Sequence, residues 1–236
     1  MPQVNIKVEL ISHTQDPEQV VVSAIRQCYS KIKAADLKKK INEEKSKRLI
    51  DQVIKSGHLS TIEHASFTFA ISGISRACSH QLVRHRIASY SQQSQRYVEA
   101  DDFDYIIPPK ILGNNQARQI FKNHITLSQK VYKQLIKLGI EKEDARFLLP
   151  NATETKIVVT MNARALLNFF KLRLCNRAQW EIQALAQKML KLVRSKAPNI
   201  FKYAGPTCET EKICWEGNLS CGKWKNIKNA ELRERG

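Results

Sequence analysis

Ser66-Phe67-Thr68-Phe69-Ala70-Ile71-Ser72 sets large apolar side chains at every second position, the period of a strand with one face buried. From about Ile74 to Arg84 the reading turns helical. No Gly-rich strand-to-helix turn of the dinucleotide type appears anywhere in the chain, which argues against a doubly wound sheet. Upstream, Met1–Val8 alternates polar with apolar and reads as a first strand. Asp16-Pro17 pairs an N-cap with an N1 proline, and Val20, Val21, Ala24, Ile25 and Cys28 follow as a helical stripe. Leu49, Ile50, Val53 and Ile54 form a second stripe, stopped at Gly57. Downstream, residues 89–96 show neither period, and Pro108-Pro109 breaks the chain. Gln116–Leu138, with Ile120, Leu127, Val131, Leu135 and Leu138, predicts a long amphipathic helix ended by Gly139. A short helix over Asp144–Leu149 stops at Pro150, Ile157-Val158-Val159 is a strand, and helices cover about 163–175 and 178–196. Trp180 and Met189 are expected in the core. Helix dominates and strands are few: the class is α+β, helix-rich, with a small, mostly antiparallel sheet.

The chain has 236 residues, 42% of them hydrophobic, enough to close a core. Its 39 Lys+Arg against 22 Asp+Glu leave a net charge of +17, which calls for an anionic partner without choosing one. The lysine-rich run over 31–48 reads as solvated surface. No run approaches the roughly 18 apolar residues of a membrane span, and the N-terminus lacks a signal-peptide h-region. The expectation is a cytoplasmic protein without a membrane. Six cysteines at this size do not suggest a secreted disulfide scaffold.

The densest chemical signal is Arg84-His85-Arg86, then seven residues, then Ser94 and Arg96. Adjacent helical residues point about 100° apart, so three in a row suit a place where the chain leaves a helix and touches two neighbouring ligands. Two guanidiniums a residue apart repel unless an anion lies between them, and phosphate fits. The hydroxyls and amides of 89–96 can bind a base or a phosphate.

The run Arg84-His-Arg-Ile-Ala-Ser-Tyr-Ser-Gln-Gln-Ser-Gln-Arg-Tyr97 resembles the signature of the flavin-dependent thymidylate synthases. Gly57-His58-Leu-Ser60-Thr-Ile-Glu63-His64 resembles the family's block before the strand. Ala145-Arg146-Phe-Leu-Leu-Pro150, Asn162-Ala-Arg164, Asn168, Leu172-Arg173 and Ala178-Gln-Trp-Glu-Ile182 follow in the family's order. The resemblance covers roughly residues 4–205, with 1–205 as the domain and 206–236 as a Cys- and Lys-rich, loosely ordered extension. It implies methylation of dUMP at C5 to dTMP, with 5,10-methylenetetrahydrofolate as carbon donor and FAD reduced by NADPH as hydride carrier. It also implies a homotetramer with active sites shared between subunits.

By the resemblance, His58, Ser60, Arg84, His85, Arg86, Gln92, Asn162, Arg164 and Asn168 contact FAD, with Glu63 beside His58 on the flavin and folate side. Gln81, Arg84, Gln92, Ser94, Arg96, Arg146 and Arg173 surround dUMP, Gln92 lying between the two ligands. Arg173 is the catalytic assignment. A guanidinium stays protonated and cannot be the base, but it can stabilise negative charge developing on the N3 side of uracil. Ser94 is expected to hydrogen-bond dUMP rather than act as a nucleophile, since no base is evident for it. Gln92, Ser91 and Arg177 depart from residues frequent at these positions, so their contacts are the least determined.

His58, His64, His80 and His85 match no zinc spacing; Cys208, Cys214 and Cys221 could bind a metal with a fourth ligand from elsewhere but contain no Cys-x-x-Cys pair, so no metal is expected. A nucleic-acid-binding protein would show a basic stripe interleaved with aromatics, yet aromatics are only 7% and no nucleic-acid partner is expected. A flavin- and folate-dependent uracil methyltransferase acting on RNA is the nearer alternative.

Overall fold

The computed structural model describes residues 5–33, 36, 42–223 and 228–229. Met1–Val4, part of the lysine run (34, 35 and 37–41) and most of the tail beyond 223 lie outside the described residues. The class is α+β: about half of the chain is helical around a small antiparallel sheet of four strands. These are β1 (Lys7–His13), β2 (Ser66–Ser75), β3 (Ser89–Gln92) and β4 (Glu154–Asn162), in the order β1-β2-β4-β3. In β2 the predicted alternation holds, with Phe67, Phe69 and Ile71 all buried. β3 occupies part of the stretch where the sequence shows no period. Its apolar content is a single Tyr90, whose buried hydroxyl donates to the Leu82 carbonyl at 2.9 Å.

Two compact units divide the chain, and the division falls within β2 and β4. The first comprises Met1–Lys7, Ala70–Arg84 and Tyr90–Val159; the second comprises Val8–Phe69, His85–Ser89 and Thr160–Gly236.

The second unit holds α1 (Pro17–Gln27), α2 (Glu43–Lys55) and a 3-10 turn (Leu59–His64). Asp16 does occupy the N-cap of α1, but in a left-handed conformation (φ 46°) with no side-chain cap bond; its carbonyl accepts the Gln19 and Val20 N–H groups instead. The buried face is Val21, Val22 and Ile25, so Val22 replaces Val20, and Cys28 is exposed. Ile50 and Val53 are buried in α2 as predicted. The 3-10 turn packs on α1 and on α7 (Ala163–Arg173), and α7 packs on α8 (Trp180–Lys196), which is followed by the single turn α9 (Pro198–Phe201). Met189 is buried, whereas Trp180 starts its helix partly exposed, correcting its predicted place in the core. Through this unit runs an aromatic series, each ring meeting the next edge-on: Phe67 on Phe201 (5.4 Å), Phe201 on Phe170 (6.0 Å), and Phe170 on Phe169 (5.5 Å).

The first unit carries α3 (Arg76–Leu82), the single turn α4 (Pro109–Leu112), α5 (Asn115–Lys137) and α6 (Lys142–Ala145). Ser75 caps α3 by accepting the Cys78 N–H. Gly73 enters this turn at φ +69°, and a Cβ there would lie 2.1 Å from the Asn5 carbonyl oxygen; only glycine meets both conditions. The long helix is where predicted, but its buried line is Ile125, Ser128, Gln129 and Tyr132. Ile120 and Leu127 are 64% and 57% exposed. The sequence stripe counted only aliphatics. The actual inner face includes polar groups with partners, Gln129 Nε2 donating to the Phe103 carbonyl at 2.9 Å and the Tyr132 hydroxyl accepting the Ala100 N–H at 3.3 Å.

Candidate active site

The predicted residues fall into two sets, one in each unit. In the first unit, α3 carries half-buried Gln81 toward the exposed Arg84, and the chain turns out of the helix there. The return strand is β3, whose Gln92 points its amide into the unit and donates to Ser79 Oγ (2.9 Å) and Thr155 Oγ1 (3.1 Å). Gln92 is therefore held by the scaffold, with its carbonyl as the remaining ligand group. Ser94 opens a tight turn: its Oγ accepts the Arg96 N–H at 3.2 Å and its carbonyl accepts the Val98 N–H at 3.0 Å.

Arg96 and Arg146 meet at Glu143. Arg96 Nε and Nη2 both bind Glu143 Oε2, at 2.7 and 2.6 Å, while Arg146 Nε donates to the Glu143 carbonyl at 3.0 Å. A third guanidinium stands close by. Arg76, at the start of α3, has its acidity raised by partial burial and further by the charge of Arg146, and its Nη1 reaches the Gln93 carbonyl at 3.5 Å. Arg76 feels the charge of Arg146, while the Glu143 carboxylate pairs with Arg96, so an anionic ligand would stabilise the remaining positive charge. Arg76 and Glu143 were missed in the sequence. Arg76 lies eight residues before the Arg-His-Arg triplet and shares a helix face with His80, one turn on, rather than with Gln81; Glu143 immediately precedes the Asp144–Pro150 segment, and no local pattern marks either residue.

A larger cavity of about 170 Å³ in the same unit is lined by Gln93, Ser94, Glu99, Asp101, Asp102 and Glu154 among others. Its carboxylates make it a poor seat for a phosphate, and of the predicted set only Ser94 reaches it.

In the second unit, His58 and Ser60 stand exposed at the start of the 3-10 turn. Asn162 caps α7, its Oδ1 accepting the Ala165 N–H at 2.9 Å. Arg164 and Asn168 lie one turn apart on the exposed side of that helix; Arg164 Nη1 binds Glu63 Oε1 at 2.6 Å. Hydroxyl, carboxamide and guanidinium groups on two packed elements are donors of the kind that flavin carbonyls and a pyrophosphate accept, so these residues fit that cofactor. Arg86 is exposed.

The last turn of α7 delivers Arg173. Its Nε donates to His85 Nε2 at 2.9 Å, and the His85 ring packs edge-on against Phe169 at 4.9 Å. Phe169 is itself the end of the aromatic series described above, so the core of the unit fixes the imidazole. Burial, with the Arg173 charge second, lowers the His85 pKa to about 4. The ring is neutral at pH 7, and because Nε2 accepts from arginine its proton sits on Nδ1.

Residues 9–199 match the family model described as thymidylate synthase complementing protein. Flavin-dependent thymidylate synthases from Geobacter sulfurreducens (51% identity over 94% of this chain and 97% of the relative) and Clostridium tetani (49%, 96% and 97%) are among the similar proteins, as is that of Pyrococcus abyssi (43%, 91% and 91%). In fold the chain is similar to the UMP/dUMP methylase PolB of Streptomyces cacaoi, solved with 5-Br dUMP (TM-score 0.76, 24% identity, 84% of this chain and 94% of that one). By the length and level of these matches, the chain belongs to the family of flavin-dependent thymidylate synthases.

Proposed function

We propose that the protein methylates dUMP at C5 to give dTMP, with 5,10-methylenetetrahydrofolate as carbon donor and FAD, reduced by NADPH, as hydride carrier. The observation that carries the reading is the meeting of Arg96 and Arg146 at Glu143, with Arg76 near enough to Arg146 to feel its charge. Three guanidiniums against one carboxylate leave positive charge that a nucleoside monophosphate dianion neutralises, and Ser94 at the head of its turn presents a hydroxyl beside Arg96. The names of the relatives support a thymidylate synthase reaction, and PolB, similar in fold, was solved with 5-Br dUMP. Gln81 and Arg84 complete the nucleotide set at the other end of α3, and Gln92 offers its carbonyl.

Ser60, His85, Arg86, Asn162, Arg164 and Asn168, with His58 beside them, hold the flavin, which when bound supplies the hydride chemistry no side chain can perform. The chain itself binds, orients and polarises. Arg173, its guanidinium plane fixed by the bond to His85, stabilises the negative charge that develops on the N3 side of the uracil ring as C5 becomes nucleophilic. His85, neutral and carrying its proton on Nδ1, accepts from Arg173 without competing for the substrate's negative charge. We place the enzyme in the cytoplasm as a homotetramer. Among the described residues no helix is long and apolar enough to cross a membrane.

The test is direct. Purified protein should be yellow, bleach with NADPH, and convert dUMP and methylenetetrahydrofolate to dTMP and tetrahydrofolate by chromatography. A colourless protein, or one that methylates uracil in RNA but leaves dUMP untouched, overturns the reading.

A further inference from the structure

The cysteine trio of the C-terminal segment has a fourth member that the sequence does not place with it. Cys175, just past the end of α7, joins Cys208 in the single turn α10 (Thr207–Thr210), Cys214 in the two-residue strand β5 (Ile213–Cys214), and Cys221 around one cavity of the second unit. Its volume is about 20 Å³, the size of a single water or ion and far below that of an organic ligand. All four are free thiols. The Cys208 thiol is raised first by burial and then by Glu209, Cys175, Cys214 and Cys221, so the three other sulfurs lie within its electrostatic reach. Two of the sulfurs already accept N–H groups: the Arg177 backbone N–H at Cys175 Sγ (3.5 Å) and Asn176 Nδ2 at Cys221 Sγ (3.6 Å). N–H groups aimed at sulfur are the outer-shell contacts that orient cysteine ligands at a metal. Arg177, Glu216 and Lys223 also line the cavity, Arg177 pairing with Glu216 at 4.0 Å and Lys223 with Glu209 at 2.6 Å.

Among the described residues, the segment around this cavity is tied to the unit mainly by exposed polar contacts such as Lys171–Glu211 at 2.7 Å. Its regular structure is α10, β5 paired in parallel with β6 (Lys228–Asn229), and a 3-10 turn at Gly217–Leu219. Its large apolar side chains Trp215 and Leu219 are exposed. A stretch this short and this poor in core needs a cross-link to keep one conformation.

We propose that Cys175, Cys208, Cys214 and Cys221 form a tetrathiolate site for one zinc ion, which fastens the C-terminal segment to the end of α7, two residues beyond Arg173. Among the described residues no three potential ligands already stand in a metal-holding group. Binding is therefore a closing step: changes of χ1 swing the sulfurs inward to zinc–sulfur distances of about 2.3 Å, and each ligating thiol releases its proton to solvent as the bond forms. The site is independent of the dUMP chemistry, and so is its test.

The full chain, purified with reductant and without chelator and then gel-filtered, should retain one zinc per chain by plasma mass spectrometry. Cys208→Ser and Cys214→Ser should drop that content to background, while Cys28→Ser, outside the cluster, keeps it. The wild-type protein gives a second reading should a variant fail to fold. Of the six thiols only the exposed Cys28 should react quickly with an aromatic disulfide reagent, Cys78 being buried, and the four cluster thiols should react only once denaturant releases zinc to a metallochromic dye. Five fast thiols, Cys28 and the four of the cluster, in folded protein that takes up no added zinc would overturn the site. So would iron in place of zinc, or a mass two units lower per pair of cysteines, which marks a disulfide instead.

Discussion

Arg173 and His85 fix each other's chemistry. The guanidinium donates to the imidazole and, with burial, keeps it neutral. Replacing Arg173 with Ala should lower kcat by about 10²- to 10³-fold at saturating dUMP, the usual loss when a preorganised donor to developing negative charge is removed, and near-normal turnover would refute the assignment. The same change takes away one cause of the lowered His85 pKa, so the imidazole should titrate above about 4 in the variant by NMR. Linkage adds a pH effect in the wild type. A histidine whose pKa is about 4 when folded and near 6.5 when unfolded binds fewer protons in the native state. Its contribution to stability is complete above about 6.5 and is lost as pH falls through that window toward 4, which denaturant melts across this range should show. Arg76, absent from the motif blocks, belongs to binding more than to chemistry. Arg76→Ala should raise the KM for dUMP by about 10-fold or more, the worth of a charge-assisted contact, with a smaller effect on kcat.

At the scale of elements, what was legible followed from simple periods, and what was not followed from partners distant in sequence. β2 and its buried phenylalanines were evident because alternation is a local signal. The extents of α7 and α8 came within a few residues. β3 was invisible, since its strand pairing is set by neighbours rather than by its own Ser, Tyr and Gln side chains. The inner face of α5 was misread because Gln129 and Tyr132 are buried by virtue of hydrogen bonds to Phe103 and Ala100, which no apolar count includes. In the candidate site, the motif blocks named Arg96 and Arg146, but their meeting at Glu143 and the approach of Arg76 are tertiary facts. Gly73 likewise looked like any strand glycine. Its positive φ and the 2.1 Å approach of the Asn5 carbonyl to a Cβ position make Gly73→Ala destabilising by on the order of 2 kcal/mol or more, measurable as a lowered Tm; an unchanged Tm would mean the turn yields freely. Phe169→Ala tests the other element-level link. It opens a cavity at the end of the aromatic series and should cost about 3–5 kcal/mol while freeing the His85 ring.

For the whole molecule, the charge of +17 finds a destination only in part. Arg76, Arg96, Arg146 and Arg173 are placed where an anion can use them, while other basic groups pair locally, as Lys171 does with Glu211 at 2.7 Å and Lys133 with Asp102 at 2.8 Å. The predicted ligand-binding side chains are themselves largely exposed: His58, Ser60, Arg84, Arg86, Arg96, Arg164 and Asn168 all face outward in this chain. A flavin, a nucleotide and a folate cannot be shielded from water by residues so open, and hydride transfer demands that shielding. Under the proposed function further copies of the chain would be the natural cover, and assembly is then expected to be a condition of activity. The structure offers a surface for it in α5, where Ile120 and Leu127, a heptad apart on one face, are 64% and 57% exposed on a helix long enough to form an extended contact. Sedimentation should find a homotetramer. Leu127→Glu, which touches none of the proposed ligand contacts, should shift it toward smaller species and lower both flavin retention and turnover in proportion to the tetramer lost. A Leu127→Glu protein that stays tetrameric would move the interface elsewhere, and a fully active monomer would separate assembly from catalysis altogether.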